Sequence, residues 1–148
     1  MKLGYTIVYV ADVPATIDFY ERAFGLKGRF LHESQLYGEL DTGETVLAFA
    51  GETMAAMHGL KIRRNCIGDE AAGFEIALVT DDPRAAFDKA LQAGAITVSP
   101  PLEKPWGQVV GYVRDLGRLH RRNLLARLRL KDRSTADRAM ESAGSRLP

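Results

Sequence analysis

The feature that most constrains this sequence is a strand–helix pattern that occurs twice. The first copy spans residues 5–25 and the second spans residues 74–94. Each copy has an apolar stretch, an aspartate and a proline, an amphipathic segment and a terminal glycine. The prolines, Pro14 and Pro83, lie 69 residues apart, and so do the terminal glycines. A repeated unit predicts two equivalent modules, and we expect a binding site where they meet.

The patterns around each copy predict a β-α-β-β-β module. Alternating apolar residues indicate strands, and Asp and Pro before an amphipathic run indicate a helix start. The predicted strands of the first module are 5–10, 28–32, 36–40 and 46–50, with helices at 14–24 and 53–58. Those of the second are 74–79, 96–98 and 109–113, with a helix at 83–93 and an extended turn at Pro100-Pro101.

The composition is that of one soluble domain. The chain has 148 residues, of which 46% are hydrophobic and 26% are charged, as in ordinary globular proteins. No apolar run approaches the roughly 18 residues of a membrane span, and the amino terminus lacks the apolar segment of a secretion signal. Cys66 is the only cysteine, so no internal disulfide can form. We therefore expect a cytoplasmic protein with no membrane partner.

Residues 10–26 contain VAD, DFYE and FGL, residues 74–82 read FEIALVTDD, and residues 104–115 read KPWGQVVGYVRD. These three segments resemble the glyoxalase/bleomycin-resistance/extradiol-dioxygenase superfamily, also called the vicinal oxygen chelate fold. The resemblance covers residues 1–116 nearly continuously. It implies an α+β fold in which two tandem βαβββ modules form a half-open barrel. It also implies a homodimer and a small ligand inside the barrel.

This resemblance gives a domain organisation for the chain. One glyoxalase-like domain is predicted over residues 1–130, with modules at 1–58 and 73–130 and a linker at 59–72. Residues 131–148 are predicted to be a basic tail.

The resemblance also implies where a metal would be bound. Metal-dependent members carry four His or Glu ligands on four strands, and the first three positions correspond here to Tyr5, Ala48 and Glu75. Only Glu75 is a usual ligand, and a single carboxylate is a poor metal site because affinity needs several converging ligands. We therefore predict a cavity with no metal and no other cofactor.

Strand alternation extends the candidate site. Ile7 and Tyr9 should face the cavity beside the first ligand position, and Ala77 should face it beside the third. Trp106 lies between Pro105 and Gly107, where its ring could stack on a ligand at the rim or fill space under the loop.

These residues lead to two hypotheses for the function. A carboxylate among aromatic rings can hold a cation, so the first hypothesis is a protein that binds or sequesters a small cationic or aromatic molecule, as in the antibiotic-sequestering branch of the superfamily. The alternative is a lyase, isomerase or dioxygenase of the same superfamily that uses a divalent metal. A third possibility, a module for protein or nucleic-acid contacts, is supported only by the basic tail.

The carboxyl-terminal segment departs from the family pattern. Residues 117–148 hold nine Lys or Arg and three Asp or Glu, where the resemblance implies a turn and a strand with a Glu. With suitable synonymous codons, deleting one base after Leu116 restores the reading LDGFIVEICSPV. We hypothesise that a frameshift replaced the final strand, and we expect strand pairing near residues 119–130, with the final stretch of residues 117–148 poorly packed or held only by its neighbours.

Other interpretations of this segment remain open. An arginine-rich run can bind phosphates, but the absence of interleaved aromatic residues disfavours nucleic acid as a partner. One face of an amphipathic helix could instead be lined by Leu116, Leu119, Asn123, Leu124 and Leu128. Alternation of Leu and Arg over residues 124–130 instead predicts a half-buried strand in the edge position of the sheet, with residues 134–145 helical or frayed.

Overall fold

Each half of the chain forms one four-stranded mixed sheet with a long helix packed on it. The computed structural model describes residues 1–64, 70, 73–115 and 125–130. The elements of the first module are β1 (Tyr5–Val10), α1 (Val13–Phe24), β2 (Lys27–Leu31), β3 (Tyr37–Asp41), β4 (Val46–Gly51) and α2 (Glu52–Met57). Those of the second are β5 (Ile76–Thr80), α3 (Pro83–Gln92), β6 (Ile96–Glu103), β7 (Val109–Arg114) and β8 (Leu125–Leu130).

The two sheets have the same topology. Their strand orders are β1-β4-β3-β2 and β5-β8-β7-β6. In each sheet the first and last strands of the module pair in parallel, and the other neighbours are antiparallel. The predicted α+β fold of two tandem βαβββ modules in a half-open arrangement is therefore confirmed.

The repeated aspartates start the two long helices. Asp12 Oδ1 accepts a hydrogen bond of 2.9 Å from the backbone N–H of Ala15. Asp82 Oδ1 likewise accepts one of 3.0 Å from Ala85. At the end of α1, Gly25 has a φ of 70°, a left-handed conformation that glycine adopts without strain. Both helices lie within one residue of their predicted bounds.

One hydrophobic core joins the two modules. Tyr20 of α1 and Phe87 of α3 belong to the same buried cluster as Leu128 of β8. The two helices are in contact, and Nη1 of Arg22 on α1 donates a hydrogen bond of 3.2 Å to the carbonyl of Ala93 after α3. Burial of this apolar surface is the main driving force for holding the modules together.

The segment of the second module that contains Pro100 and Pro101 differs from the prediction. The two prolines at 100 and 101 do not form a turn but lie within β6, which is an edge strand. The register between β6 and β7 shifts between Ser99 and Leu102, and proline is tolerated at such irregular edge positions. Gly111 faces Pro101 closely, because a Cβ at this glycine would lie 2.9 Å from the Pro101 Cγ.

The arginine-rich segment supplies the last strand. Strand β8 pairs with both β5 and β7, so the predicted edge position is wrong and the strand is internal. The predicted alternation is confirmed, since Ala126 and Leu128 are buried while Arg127 and Arg129 are half-buried on the other face. The final stretch, which is expected to be poorly packed, lies outside the described residues.

Several predictions concern residues outside the described ranges. These are the segment between β7 and β8, the tail at 131–148 and Cys66. In the part of the chain that the structure describes, no helix is long and apolar enough to cross a membrane.

Candidate ligand-binding site

Each sheet has one face under its helix and one face away from it. In β1, Val8 and Val10 are buried in the core, whereas Tyr5 and Ile7 point to the opposite face and are 51% and 48% exposed. We call this face of sheet β1-β4-β3-β2, which carries Tyr5, Ile7, Tyr9, Tyr37 and Glu39, the first open face. The second open face belongs to sheet β5-β8-β7-β6 and carries Glu75, Ala77, Val79, Tyr112, Arg127 and Arg129.

Alanines form the floor of the first open face. Two rows of paired residues cross β1, β4 and β3, namely Ile7–Ala48–Glu39 and Tyr9–Ala50–Tyr37. Both alanines are buried although they lie on the face away from the core cluster. Because small side chains stand between larger ones, each row forms a shallow trough.

Glu39 is the polar centre of this face. Its side chain is only 12% exposed, and its Oε1 accepts a hydrogen bond of 3.0 Å from the hydroxyl of Tyr37. The Nε of Arg29 lies 3.6 Å from its Oε2. Burial, followed by the hydrogen bond to Glu39 and the charge of that carboxylate, raises the pKa of Tyr37 to about 12. Tyr37 therefore remains a protonated hydrogen-bond donor near neutral pH.

Glu39 is absent from the site predicted by the sequence. Alternation along the predicted strand at 36–40 places Tyr37 and Glu39 on one face, so a signal for this residue is present. The family resemblance instead directs attention to the ligand position at Ala48, which is the neighbour of Glu39 in the row.

On the second open face, Glu75 forms an ion pair with Arg127. Nη1 of Arg127 donates to Oε1 of Glu75 at 3.0 Å, and the side chains of Arg127 and Glu75 are 24% and 33% exposed. Arg127 pairs in register with Ala77 on one side and Tyr112 on the other. Glu75 is thus partly buried beside a cation, rather than isolated among aromatic rings as the sequence suggested.

Two cavities lie along β5, where the modules meet. One, of about 260 Å³, is lined by Thr6 and Val46 from the first module and by Phe74, Glu75 and Ala77 from the second. The other, of about 320 Å³, extends from the end of α1 to β5 and α3. Both are built from residues of the two modules, as the repeat predicts.

The predicted site residues are distributed over three places. Glu75 and Ala77 line the 260 Å³ cavity. The predicted residues of the first module, which are Tyr5, Ile7, Tyr9 and Ala48, lie together on the first open face. Trp106 lies in the turn between β6 and β7, where it is 65% exposed and donates a hydrogen bond of 3.1 Å to Gln108. Its ring does not fill space under the loop, so that interpretation is wrong.

The strand register identifies the fourth position of the metal-site pattern. Ile7 of β1 pairs with Ala48 of β4, and its counterpart Ala77 of β5 pairs with Arg127 of β8. Arg127 therefore occupies in the second module the place that Ala48 occupies in the first.

The side chains at these four positions do not fit a divalent metal. Tyr5 is not a usual ligand, Ala48 has no donor atom, and Glu75 is engaged by Arg127. A guanidinium is a permanent cation that repels a metal ion and cannot coordinate it. Within the described ranges, no three His, Cys, Asp or Glu side chains are grouped as metal ligands.

Comparison with known proteins identifies the family. The family model described as "Glyoxalase/Bleomycin resistance protein/Dioxygenase superfamily" matches residues 2–118. A curated relative, the uncharacterized protein YraH of Bacillus subtilis (strain 168), is 26% identical over 117 residues, which are 78% of this chain and 91% of YraH.

Solved structures of low sequence identity have the same fold. A glyoxalase-related enzyme from Fulvimarina pelagi superposes with a TM-score of 0.73 at 16% identity, covering 88% of each chain. TioX from Micromonospora sp. ML1 superposes with a TM-score of 0.64 at 21% identity, covering 88% of this chain and 98% of TioX. At such identities the likeness concerns the fold alone.

Proposed function

Because the chain belongs to the glyoxalase/bleomycin resistance protein/dioxygenase superfamily, we propose that it binds and sequesters a small aromatic molecule without a metal. The observation that carries the proposal is the row Tyr9–Ala50–Tyr37, in which two tyrosines flank a buried alanine on the first open face. A planar ligand lying over the alanine would contact both rings. Each aromatic contact contributes about 0.5–1.5 kcal/mol beyond the area that it buries.

Glu39 gives this face a preference for positive charge. A carboxylate in a partly dry environment attracts a ligand cation more strongly than one in bulk water. Its partner Arg29 is 51% exposed and lies at 3.6 Å rather than at hydrogen-bond distance. Arg29 can therefore be displaced by a ligand at small cost, and Glu39 would then hold a cationic group near the tyrosines.

The sequence favours Glu75 as the residue that holds a cationic ligand, and this assignment remains a prediction. Arg127 already offsets the charge of Glu75 at 3.0 Å, so a cation placed there would also meet a guanidinium. Glu39 is for this reason the stronger candidate. Comparing Glu39→Gln with Glu75→Gln separates the two assignments.

Catalysis by a metal-dependent lyase, isomerase or dioxygenase mechanism requires donors that this chain lacks at the family positions. Ala48 and Arg127 stand where two of the four ligands would be. Neither side chain can coordinate a divalent ion. Binding is therefore the better-supported function.

We also propose that two copies assemble as a homodimer in the cytoplasm. The first module leaves several apolar side chains half exposed, including Tyr5, Ile7, Phe30 and Leu31. An exposed apolar surface of this kind is commonly covered by a partner. Sedimentation equilibrium tests the proposal, and a monomer at micromolar concentration would contradict it.

The ligand proposal is tested by titrating the protein with acridine orange, an aromatic cation, and with neutral acridone. Tyr9→Ala should weaken both ligands, because each loses a stacking surface. Glu39→Gln should weaken acridine orange by about 1–3 kcal/mol and leave acridone nearly unchanged. Tyr112→Phe, on the second open face, is the control and should change neither affinity.

Two outcomes would contradict the proposal. The first is that neither compound binds to the wild-type protein. The second is that Tyr9→Ala binds both compounds as tightly as the wild type does. A larger loss of acridine orange in Glu75→Gln than in Glu39→Gln would move the cation site to the second open face.

A further inference from the structure

The second open face is rich in arginine. Residues two apart on a strand point to the same face, so Arg129 shares this face with Arg127 on β8, and Arg114 shares it with Tyr112 on β7. Glu75 forms an ion pair with this group at Arg127. Guanidinium groups make the electrostatic potential of a face more positive, and a positive potential favours the approach of small anions.

Arg127 uses only part of its guanidinium for Glu75. Nη1 makes the ion pair, whereas Nε is buried and has no hydrogen-bond partner within the described part of the chain. Nε–H and the neighbouring Nη2–H point the same way and form a second edge of the group. Such an edge matches the two oxygens of a carboxylate or a phosphate. A buried N–H without a partner costs free energy, which an anion at this edge would recover.

The surface beside Arg127 has room for a ligand. Ala77, its partner across β5 and β8, has a small side chain and is exposed. Val79, two residues further along β5, is 49% exposed. The Arg127 side chain itself is 24% exposed, so part of this side chain is accessible to a ligand. A ligand could therefore place an apolar body over Ala77 and Val79 while its charged end reaches Arg127.

Glu75 positions this arginine. With Nη1 held by the carboxylate, the guanidinium cannot rotate freely, and its second edge keeps a fixed direction. Pre-organisation of this kind lowers the entropy that binding would otherwise cost. A guanidinium at the fourth position of the metal-site pattern thus supplies positive charge without a metal.

We infer that Arg127 is the centre of an anion-binding site on the second open face, which takes a carboxylate or phosphate group attached to a small apolar body. This site is distinct from the aromatic site proposed for the first open face. The two sites use different sheets and opposite ligand charges, so each can be tested without the other.

The experiment is a calorimetric titration with cyclohexanecarboxylate, cyclohexyl phosphate and neutral cyclohexanecarboxamide, which have no aromatic ring for the first open face. We expect both anions to bind more tightly than the amide, and their ratio shows whether the carboxylate or the phosphate is preferred. Arg127→Lys keeps the charge but loses the two parallel donors, so it should weaken the anions by more than about ten-fold. Arg127→Gln should abolish anion binding.

One control accompanies these variants. Arg84→Gln removes an exposed arginine at the start of α3 in the same module and should leave cyclohexanecarboxylate binding unchanged. Circular dichroism of Arg127→Lys verifies that the fold is retained, so that any loss of binding reports on the site.

The inference is overturned if neither anion binds to the wild-type protein, or if cyclohexanecarboxamide binds as tightly as cyclohexanecarboxylate. It is also overturned if Arg127→Lys retains wild-type affinity.

Discussion

The carboxylate of Asp115, which follows β7 in the second module, lies beside the hydroxyl of Tyr20 on α1 of the first. Asp115 is 3% exposed and Tyr20 is fully buried. Burial first, and then the nearby Asp115 charge, raises the pKa of Tyr20 well above its usual range. An electrostatic interaction between Tyr20 and Asp115 therefore links the two modules inside the core, in addition to apolar packing.

The raised pKa values of two tyrosines predict that the folded protein loses stability at high pH. Tyr20 and Tyr37 both have a raised pKa in the folded state, so folding holds their protons more tightly than the unfolded chain does. Their stabilising contribution is complete below the unfolded pKa of about 10 and declines as the pH rises through the folded value. For Tyr37 the decline extends from about pH 10 to about 12.

Urea unfolding measured as a function of pH checks this prediction. The unfolding free energy of the wild type should fall above about pH 10, and the doubly substituted chain, Tyr20→Phe with Tyr37→Phe, should lose less over the same range. Identical pH profiles for the two proteins would contradict the assignment.

The close approach of Gly111 to Pro101 predicts a stability cost for any side chain at residue 111. In Gly111→Ala the new Cβ would lie 2.9 Å from Cγ and 3.1 Å from the backbone nitrogen of Pro101. The proline ring and backbone cannot move aside as a flexible side chain would. We expect destabilisation of about 1–3 kcal/mol in urea unfolding. Gly4→Ala is the control, because a Cβ there meets nothing within 4 Å, and an equal effect of both substitutions would contradict the prediction.

The donor set at the family's ligand positions predicts that divalent metals do not stabilise the protein. A ligand that binds the folded state alone raises the unfolding midpoint, so Zn²⁺, Ni²⁺ and Mn²⁺ should leave the thermal midpoint unchanged. The double substitution Ala48→His with Arg127→Glu supplies donors at two positions and should respond to metal more than the wild type does. Stoichiometric metal in the purified wild type that is lost in Glu75→Gln would contradict the prediction.

Local signals explain the part of the fold that could be predicted from the sequence. Asp12 and Asp82 each precede a proline and an amphipathic run, and a helix cap depends only on residues within one turn. Strand alternation is similarly local, which is why it places Ala126 and Leu128 correctly on the buried face of β8. The modules and their order follow from these short patterns and from the repeat.

The remaining features depend on pairing between distant segments. The ion pair of Glu75 with Arg127 spans 52 residues and requires the register of β8 against β5, which no local pattern specifies. Glu39 likewise lies beside Ala48 only because β3 pairs with β4 in this register. The sequence predicts a turn at Pro100-Pro101 because it does not show that these prolines lie in an edge strand, where proline is tolerated.

The internal position of β8 gives the last prediction, which concerns the hypothesis of a frameshift. Strand β8 pairs with β5 and β7 and buries Leu128 at 1% exposure. Truncation after Asp115 would remove the shared partner of both strands, and cooperative unfolding should be lost. Leu128→Ala keeps the strand and should cost about 2–5 kcal/mol, whereas Arg129→Gln, on the other face, should cost much less.

A chain in which the alternative reading frame is restored, with the sequence LDGFIVEICSPV, would place more β-branched and aromatic residues in the strand that takes the position of β8. We expect it to unfold at higher urea concentration than the present chain, because Phe, Ile and Val suit an internal strand better than alternating Leu and Arg. Sequencing of the genomic locus decides whether the present frame is the natural one. If the truncated chain unfolds cooperatively at the wild-type midpoint, β8 contributes nothing to stability and the stability argument must be abandoned.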